Sequence, residues 1–211
     1  MGRHEAMRTV LYIHGMGGSA RESEGYIPLF PDARVLGLDY RTFTPWETGA
    51  EIREAAEKLA AGSGPITLIA NSIGAYFSFH AGIDQLLRRA YLVSPILDME
   101  KLILGMMARA GVTEAELEEK GVVPTDFGEP LSWEYLCWVR GHPIRWDVPT
   151  EILYGSLDTF TSRETAETFA KKYGAGLTVL EGGEHWFHTE AQTAFLYAWI
   201  RDKEEGDTKP C

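Results

Sequence analysis

The sequence predicts an α/β fold: an open, mostly parallel six-stranded sheet with helices on both faces. Three observations carry that prediction. Short runs rich in β-branched and aromatic residues recur along the chain. Longer segments of helical period separate them, which is the alternation of a parallel sheet. The runs are apolar at nearly every position instead of alternating, as strands covered on both faces must be.

Taken in order, TVLYIHG (9–15) opens the sheet and ARVLGLDY (33–40) follows. Thr44-Pro45-Trp46-Glu47 then starts a helix, with a capping-box spacing and a proline at the first helical position, where its missing N–H costs nothing. Ile52, Ala56 and Leu59 form its apolar stripe opposite Glu51, Glu54 and Lys58, and Gly62 ends it. ITLIAN (66–71) is the next strand, followed by an apolar helix over 74–89 with an Asp84–Arg88 pair on its wetter side. AYLVSP (90–95), TEILYGS (150–156) and GLTVLEGG (176–183) complete the sheet. Thr161…Glu164 and Thr189…Gln192 repeat the capping spacing before two later helices, the second turning Phe195, Leu196 and Trp199 inward. The polar ending predicts disorder over 202–211.

Residues 97–147 break the rhythm. MEKLILGMMARAG, TEAELEEKG and SWEYLCWVRG read as three short helices, and the segment is too long for a plain crossover. It is therefore expected to be a helical cap inserted into a single domain spanning residues 1–211.

Charge narrows the partners. A net charge of −11 and a pI near 5.0, with no Lys/Arg cluster to offset them, argue against nucleic acid and anionic membrane surfaces. Cys137 and Cys211 make no disulfide framework, and MGRHEAMRTV lacks the apolar core of a secretory signal. No stretch is long enough to span a bilayer, so a cytoplasmic location is expected. Oligomeric state is left open.

In such a sheet, ligands bind beyond the carboxyl ends of the strands. Chemistry-bearing residues gather there: His14-Gly15-Met16-Gly17-Gly18 after the first strand, Ser72 after the third, Asp158 after TEILYGS, and His185 and His188 after the last. Ser72 stands in IANSIGAY at the hinge between strand and helix. Asn, Ser and Gly make ordinary turns, so a turn alone explains them. The alternative is a nucleophile, which needs a base within hydrogen-bond reach and an acid to hold that base.

Serine, acid and histidine in that order, with Ala70-Asn71-Ser72-Ile73-Gly74 at the hinge, resemble the α/β-hydrolase fold superfamily, in its serine-nucleophile, esterase- and lipase-like branch. The likeness covers roughly residues 9 to 201. The family elbow reads Gly-x-Ser-x-Gly, and here alanine replaces the first glycine. The resemblance implies that Ser72 is a nucleophile held at positive φ, His185 its base and Asp158 the acid that orients the imidazole. It also implies an oxyanion hole built from the N–H groups of Ile73 and Met16, with Gly15, Gly17 and Gly18 letting that loop approach the substrate. His188, next to the Thr189 cap, takes a structural place. Asp98 is the rival acid, because some members carry it one strand earlier, and it also fits a helix N-cap.

The implied substrate is a small or medium carboxylic ester or thioester, a small-molecule acyl donor, and no metal or organic cofactor is called for. His14, Gly15, Met106, Trp133 and Trp186 are candidates for the substrate pocket. Met107, Phe127, Leu136 and Trp138 add to the apolar inventory of the cap, though such residues serve equally to glue a cap to a sheet. An imidazole base must be neutral to accept a proton, so activity is expected to fall as acid protonates His185.

Four other readings compete. Gly15-x-Gly17-x-x-Ala20 with Asp39 fits a dinucleotide fingerprint of an NAD(P)-binding oxidoreductase. Against it, RESEGYIPLF shows no helical apolar stripe and contains Gly25 and Pro28, whereas a pyrophosphate needs a helix N-terminus there. His185-x-x-His188 lacks a third ligand for a metal, and no Gly-Lys-Ser/Thr follows the glycines to make a P-loop. A non-catalytic binding protein on the same fold is the last alternative, and serine-directed labelling separates it from an enzyme.

Overall fold

A computed structural model of the chain describes residues 7–207. The strands are β1 (Arg8–Ile13), β2 (Ala33–Leu38), β3 (Ile66–Asn71), β4 (Leu87–Val93), β7 (Thr150–Gly155) and β8 (Gly176–Leu180), with the short pair β5 (Val122–Val123) and β6 (Leu131–Ser132) between them. The six longer strands form one parallel sheet in the order β2-β1-β3-β4-β7-β8. The helices are α1 (Pro45–Ser63), α2 (Ile73–Phe79), α3 (Met99–Ala110), α4 (Glu114–Lys120), α5 (Trp133–Gly141), α6 (Arg163–Tyr173) and α7 (Glu190–Asp207).

The apolar strand runs have the predicted cause, because alternate residues feed two cores. Leu11, Ile13, Leu68, Ala70 and Ile152 face one side, with α1, α2, α6 and the inserted segment. Val10, Tyr12, Ile69, Tyr91 and Leu153 face the other, with Leu196, Trp199 and Ile200 of α7. The inserted segment has no core of its own. Met107, Leu117 and Leu136 extend the first one, and Arg140 ties three helices by pairing with Glu100 at 2.6 Å and Glu114 at 2.7 Å.

Several expectations need correction. The helix foreseen over 74–89 ends at Phe79. Gly82 turns left-handed at φ 64°, a 3-10 turn follows at Asp84–Leu86, and β4 already begins at Leu87. Asp84 accordingly accepts the N–H of Asp147, and Arg88 donates to Thr67. Ala20–Leu29, read as non-helical, is a 3-10 helix, whose side chains eclipse at every third residue and leave no stripe of 3.6 period. The β5–β6 ribbon was not foreseen, since two residues per strand give no period to detect. Ser162, not Thr161, caps α6 through the N–H of Thr165, because the Thr161 hydroxyl donates to the carbonyl of Pro95. Phe195 is 38% exposed, so only Leu196 and Trp199 of its group face inward.

The tail is corrected too. Helix α7 continues through Asp207, and residues 208–211 lie outside the described residues. Its polar residues are anchored: Lys203 pairs with Glu151 at 2.7 Å, and Glu204 accepts from Tyr91 at 2.6 Å and Arg8 at 3.2 Å. No helix of the described residues is long and apolar enough to cross a membrane.

Candidate active site

Ser72 sits in the turn from β3 into α2 with φ 53° and ψ −121°. A non-glycine residue in such a conformation costs on the order of 1–3 kcal/mol, so its surroundings must enforce it. They do so through the backbone. The Ser72 N–H donates to Val93 O at 3.0 Å, and its carbonyl accepts from Ala75 and Ile96. Gly74 is required for the close crossing, because a Cβ there would lie 2.8 Å from Ile13 O and closer still to His14 O.

Asp158 follows β7 in a turn closed by its own N–H to Gly155 O at 3.0 Å. Its Oδ1 accepts the N–H groups of Phe160 at 2.8 Å and Thr161 at 3.1 Å, and its side chain is fully buried. His185 follows β8 on a loop that crosses the end of β7. Gly155 makes room for that crossing, since a Cβ there would come within 2.5 Å of the carbonyls of Gly183 and Glu184.

These folds bring three distant side chains into one line. His185 Nε2 lies 2.8 Å from Ser72 Oγ, and His185 Nδ1 lies 2.7 Å from Asp158 Oδ2. A carboxylate only accepts, so Nδ1 carries the hydrogen, which leaves the Nε2 lone pair facing the serine hydroxyl in the neutral ring. Such a line can withdraw the hydroxyl proton as the oxygen attacks an electrophile.

The segments that carry the two N–H groups expected to hold an oxyanion meet at Ser72. Ile73 is the first residue of α2, so its N–H has no acceptor within the helix. Met16 lies in a turn closed by Gly18 N–H to Gly15 O at 3.1 Å, with Gly17 left-handed at φ 73°. Gly15 packs that turn against the elbow, where a Cβ would lie 3.1 Å from Ser72 Cβ.

The pocket candidates divide. His14 is buried, its ring stacked on Tyr40 at 4.1 Å, and so backs the loop instead of lining an open surface. Met106 of α3 and Trp133 of α5 are half-buried against the first core, which fits the role of glue. Trp186 is 70% exposed next to His185, with its ring over His188 at 4.9 Å. Asp98 caps α3 through the N–H of Lys101 at 2.9 Å and makes no bond to His185. His188 bonds to the Trp186 carbonyl. A groove of about 520 Å³ between α3, α5 and α6, lined by Asp98, Lys101, Arg140 and Glu164 among others, contains none of Ser72, Asp158 or His185.

Sequence reasoning missed Phe160, whose ring lies 4.6 Å from that of His185 while it stays 54% exposed. It also missed Tyr40, which donates to the His14 carbonyl at 3.1 Å. Adjacency to Asp158 was the available signal for the first. Among the described residues, no group of three or more His, Cys, Asp or Glu could hold a metal ion. At the dinucleotide candidate, Glu22 occupies the Ser19 N–H at the start of the 3-10 helix and Asp39 takes that of Ala20, so both donors are already paired with carboxylates.

Among solved structures, Est1E from Butyrivibrio proteoclasticus is similar with a TM-score of 0.77 and 16% identity, covering 96% of this chain and 88% of that one. Alpha/beta hydrolase domain-containing protein 10 from mouse gives a TM-score of 0.71 at 17% identity, with 95% and 90% covered. The esterase domain of a Rhodothermus marinus protein gives 0.62 at 15% identity, with 95% and 89% covered. Such identities speak to the fold alone. No curated protein matches the sequence. Residues 10–198, however, match the sequence model of the alpha/beta hydrolase family. With the strand order and the elbow already on the page, that match over most of the chain has one meaning: the protein belongs to the alpha/beta hydrolase family.

Proposed function

We propose that the protein is a serine hydrolase that cleaves small or medium carboxylic esters or thioesters through an acyl-enzyme. The observation that carries this reading is the unbroken hydrogen-bonded line from Ser72 through His185 to Asp158. Ser72 Oγ attacks the acyl carbon while His185 Nε2 takes its proton. Asp158 holds the ring in the required tautomer and stabilises the imidazolium that forms. The carbonyl oxygen, now negative, is received by the N–H groups of Ile73 and Met16. Collapse of the intermediate expels the alcohol or thiol, which takes the proton from His185, and water then repeats the path to release the acid. The mechanism calls on no metal or cofactor.

The rim favours apolar substrates. Met16, Leu157, Phe160 and Trp186, on the loops that carry the reacting groups, are between 45% and 70% exposed. Fixed apolar side chains at the mouth of a polar site favour an acyl or alcohol part that can cover them. The similar Rhodothermus marinus domain is named an esterase domain, which supports the ester part of this reading.

The test is labelling with a serine-directed fluorophosphonate beside Ser72→Ala, followed by a panel of p-nitrophenyl esters and matched thioesters of increasing chain length. Label and turnover should both vanish in Ser72→Ala. A wild-type protein that neither reacts nor turns over any ester is a binding module on a hydrolase fold, and the proposal fails.

A further inference from the structure

The loop that carries Met16 is fastened to β1 through one carboxylate. Glu22 Oε1 accepts the Ser19 N–H at 3.0 Å, and Oε2 accepts the Tyr12 hydroxyl at 2.5 Å. Tyr12 is 1% exposed in β1, where it pairs in register with Ile69 of β3, the strand that ends at the residue before Ser72. Burial first, then the neighbouring Tyr26 and Glu22, push the Tyr12 hydroxyl far above its ordinary range, so it keeps its proton as donor to Glu22.

The glycines fit around this connection. A Cβ on Gly18 would lie 2.6 Å from Glu22 Oε1, so only a glycine there leaves the carboxylate its place. A Cβ on Gly15 would lie 3.1 Å from Ser72 Cβ and 3.7 Å from Asn71 Nδ2. The segment 15–19 is therefore held at both ends, by direct contact with the elbow at Gly15 and by Glu22 at Ser19.

We infer that Glu22 is a positioning residue for the oxyanion-binding loop: through the Ser19 N–H on one side and the Tyr12 hydroxyl of β1, the strand paired with β3, on the other, it sets the spacing between the N–H groups of Met16 and Ile73. The inference rests on the serine-hydrolase reading proposed above. It goes beyond helix capping, which the Ser19–Glu22 pair also provides, because a cap alone does not tie the loop to Tyr12 on the strand that pairs with β3.

The test measures kcat and KM on p-nitrophenyl butyrate, the acid limb of the pH profile and the rate of fluorophosphonate labelling. In Glu22→Ala, kcat should fall roughly ten- to a hundred-fold, short of the full loss of an oxyanion donor, while KM stays within about two-fold. Labelling should slow in parallel, because the phosphonyl oxygen uses the same donors. The midpoint of the acid limb should not move, since His185 is untouched. Glu22→Gln keeps an acceptor for Ser19 and a partner for Tyr12, and should recover to within about three-fold.

Tyr12→Phe removes a single oxygen and leaves the buried ring, so it serves where Glu22→Ala does not fold. It should lower kcat in the same way, and the double variant should lose less than the two single losses multiplied, as members of one network do. A folded Glu22→Ala with normal kcat, a change in KM alone, or a shifted pH midpoint would each overturn the inference. If the wild type is labelled and hydrolyses esters while these variants match it, only the role of Glu22 fails. A wild type inert to probe and esters alike removes the hydrolase reading and this inference together.

Discussion

The carboxylate of Asp158 meets His185 Nδ1 at 2.7 Å while its other oxygen is taken by the N–H groups of Phe160 and Thr161. Three donors thus fix a fully buried side chain, and the ring inherits that fixity. Asp158→Asn keeps the shape but offers a donor where an acceptor is needed. The imidazole then turns an N–H toward Ser72 and cannot accept its proton. On the proposed mechanism, kcat should fall roughly 10³- to 10⁴-fold with KM little changed. Asp98→Ala is the matching control. It removes the cap of α3, at a cost of about 1 kcal/mol in stability, and should leave kcat within about two-fold. Steady-state kinetics on the two variants decides which acid serves.

The elbow makes a second prediction. Gly74→Ala drives a methyl against the backbone carbonyls of Ile13 and His14, which belong to β1, a strand paired on both sides, and its first loop residue and have no room to retreat. Either α2 shifts and carries Ser72 away from His185, or the sheet distorts. Activity should fall at least about 100-fold, in line with the sensitivity of a reacting geometry to displacements near 1 Å. Ala70→Gly runs the other way, toward the family's glycine. Ala70 is fully buried inside β3, so the added backbone freedom costs about 1 kcal/mol, while activity stays within about three-fold.

How far these features can be read from the chain depends on how local their causes are. The six main strands are legible because each is a short apolar run bounded by turn residues. Ser72, Asp158 and His185 are legible because each falls directly after one of them. The segment 74–89 misleads because a buried helix and a buried strand are both apolar throughout, and Gly82 is the only mark of the switch. The tail misleads for another reason. Composition cannot tell a glutamate facing water from Glu204, whose partners lie on β1 and β4, far away in sequence. Gly155 carried a readable signal of close backbone approach, but only the fold shows that the loop leading to His185 is what approaches.

His80 predicts a pH-dependent stability. At the end of α2 it meets Tyr76 at 4.7 Å and Trp138 of α5 at 4.8 Å, and its Nε2 is buried with no partner among the described residues. Burial first, and the neighbouring His142 second, push its pKa from 6.5 down to about 4. The unfolded chain therefore takes up a proton near pH 6.5 that the folded protein refuses until about pH 4. Stability is complete above pH 6.5 and declines as pH falls through that window. Allowing for the ring's residual contact with water, the loss between pH 7 and 5 should be about 1–2 kcal/mol. Urea unfolding at the two pH values measures it, and His80→Phe should remove most of the difference.

Glu204 predicts the opposite arrangement, a charge held by its partners. Burial works against its ionised form, but the Tyr91 hydroxyl at 2.6 Å and the guanidinium groups of Arg88, Arg8 and Arg89 outweigh it, so its pKa lies below 4.5. The sign follows from that direction. The contribution to stability is present above about pH 4.5, where the unfolded chain's carboxyl is already ionised, and is lost as pH falls through the lower folded value. Glu204→Gln leaves the guanidinium groups without their shared anion and should cost about 1–3 kcal/mol at pH 7. That corresponds to a fall in Tm of very roughly 2–12 °C for a chain of this size. The variant should also lose less stability than wild type on acidification below pH 4.5. Because Arg8 and Arg88 lie at the amino-terminal ends of β1 and β4, opposite the end that carries Ser72, kcat should stay within about two-fold. Thermal melts at pH 7 and pH 4 beside an ester assay measure all three effects, and a melt unchanged at pH 7 would mean that α7 docks on its apolar face alone.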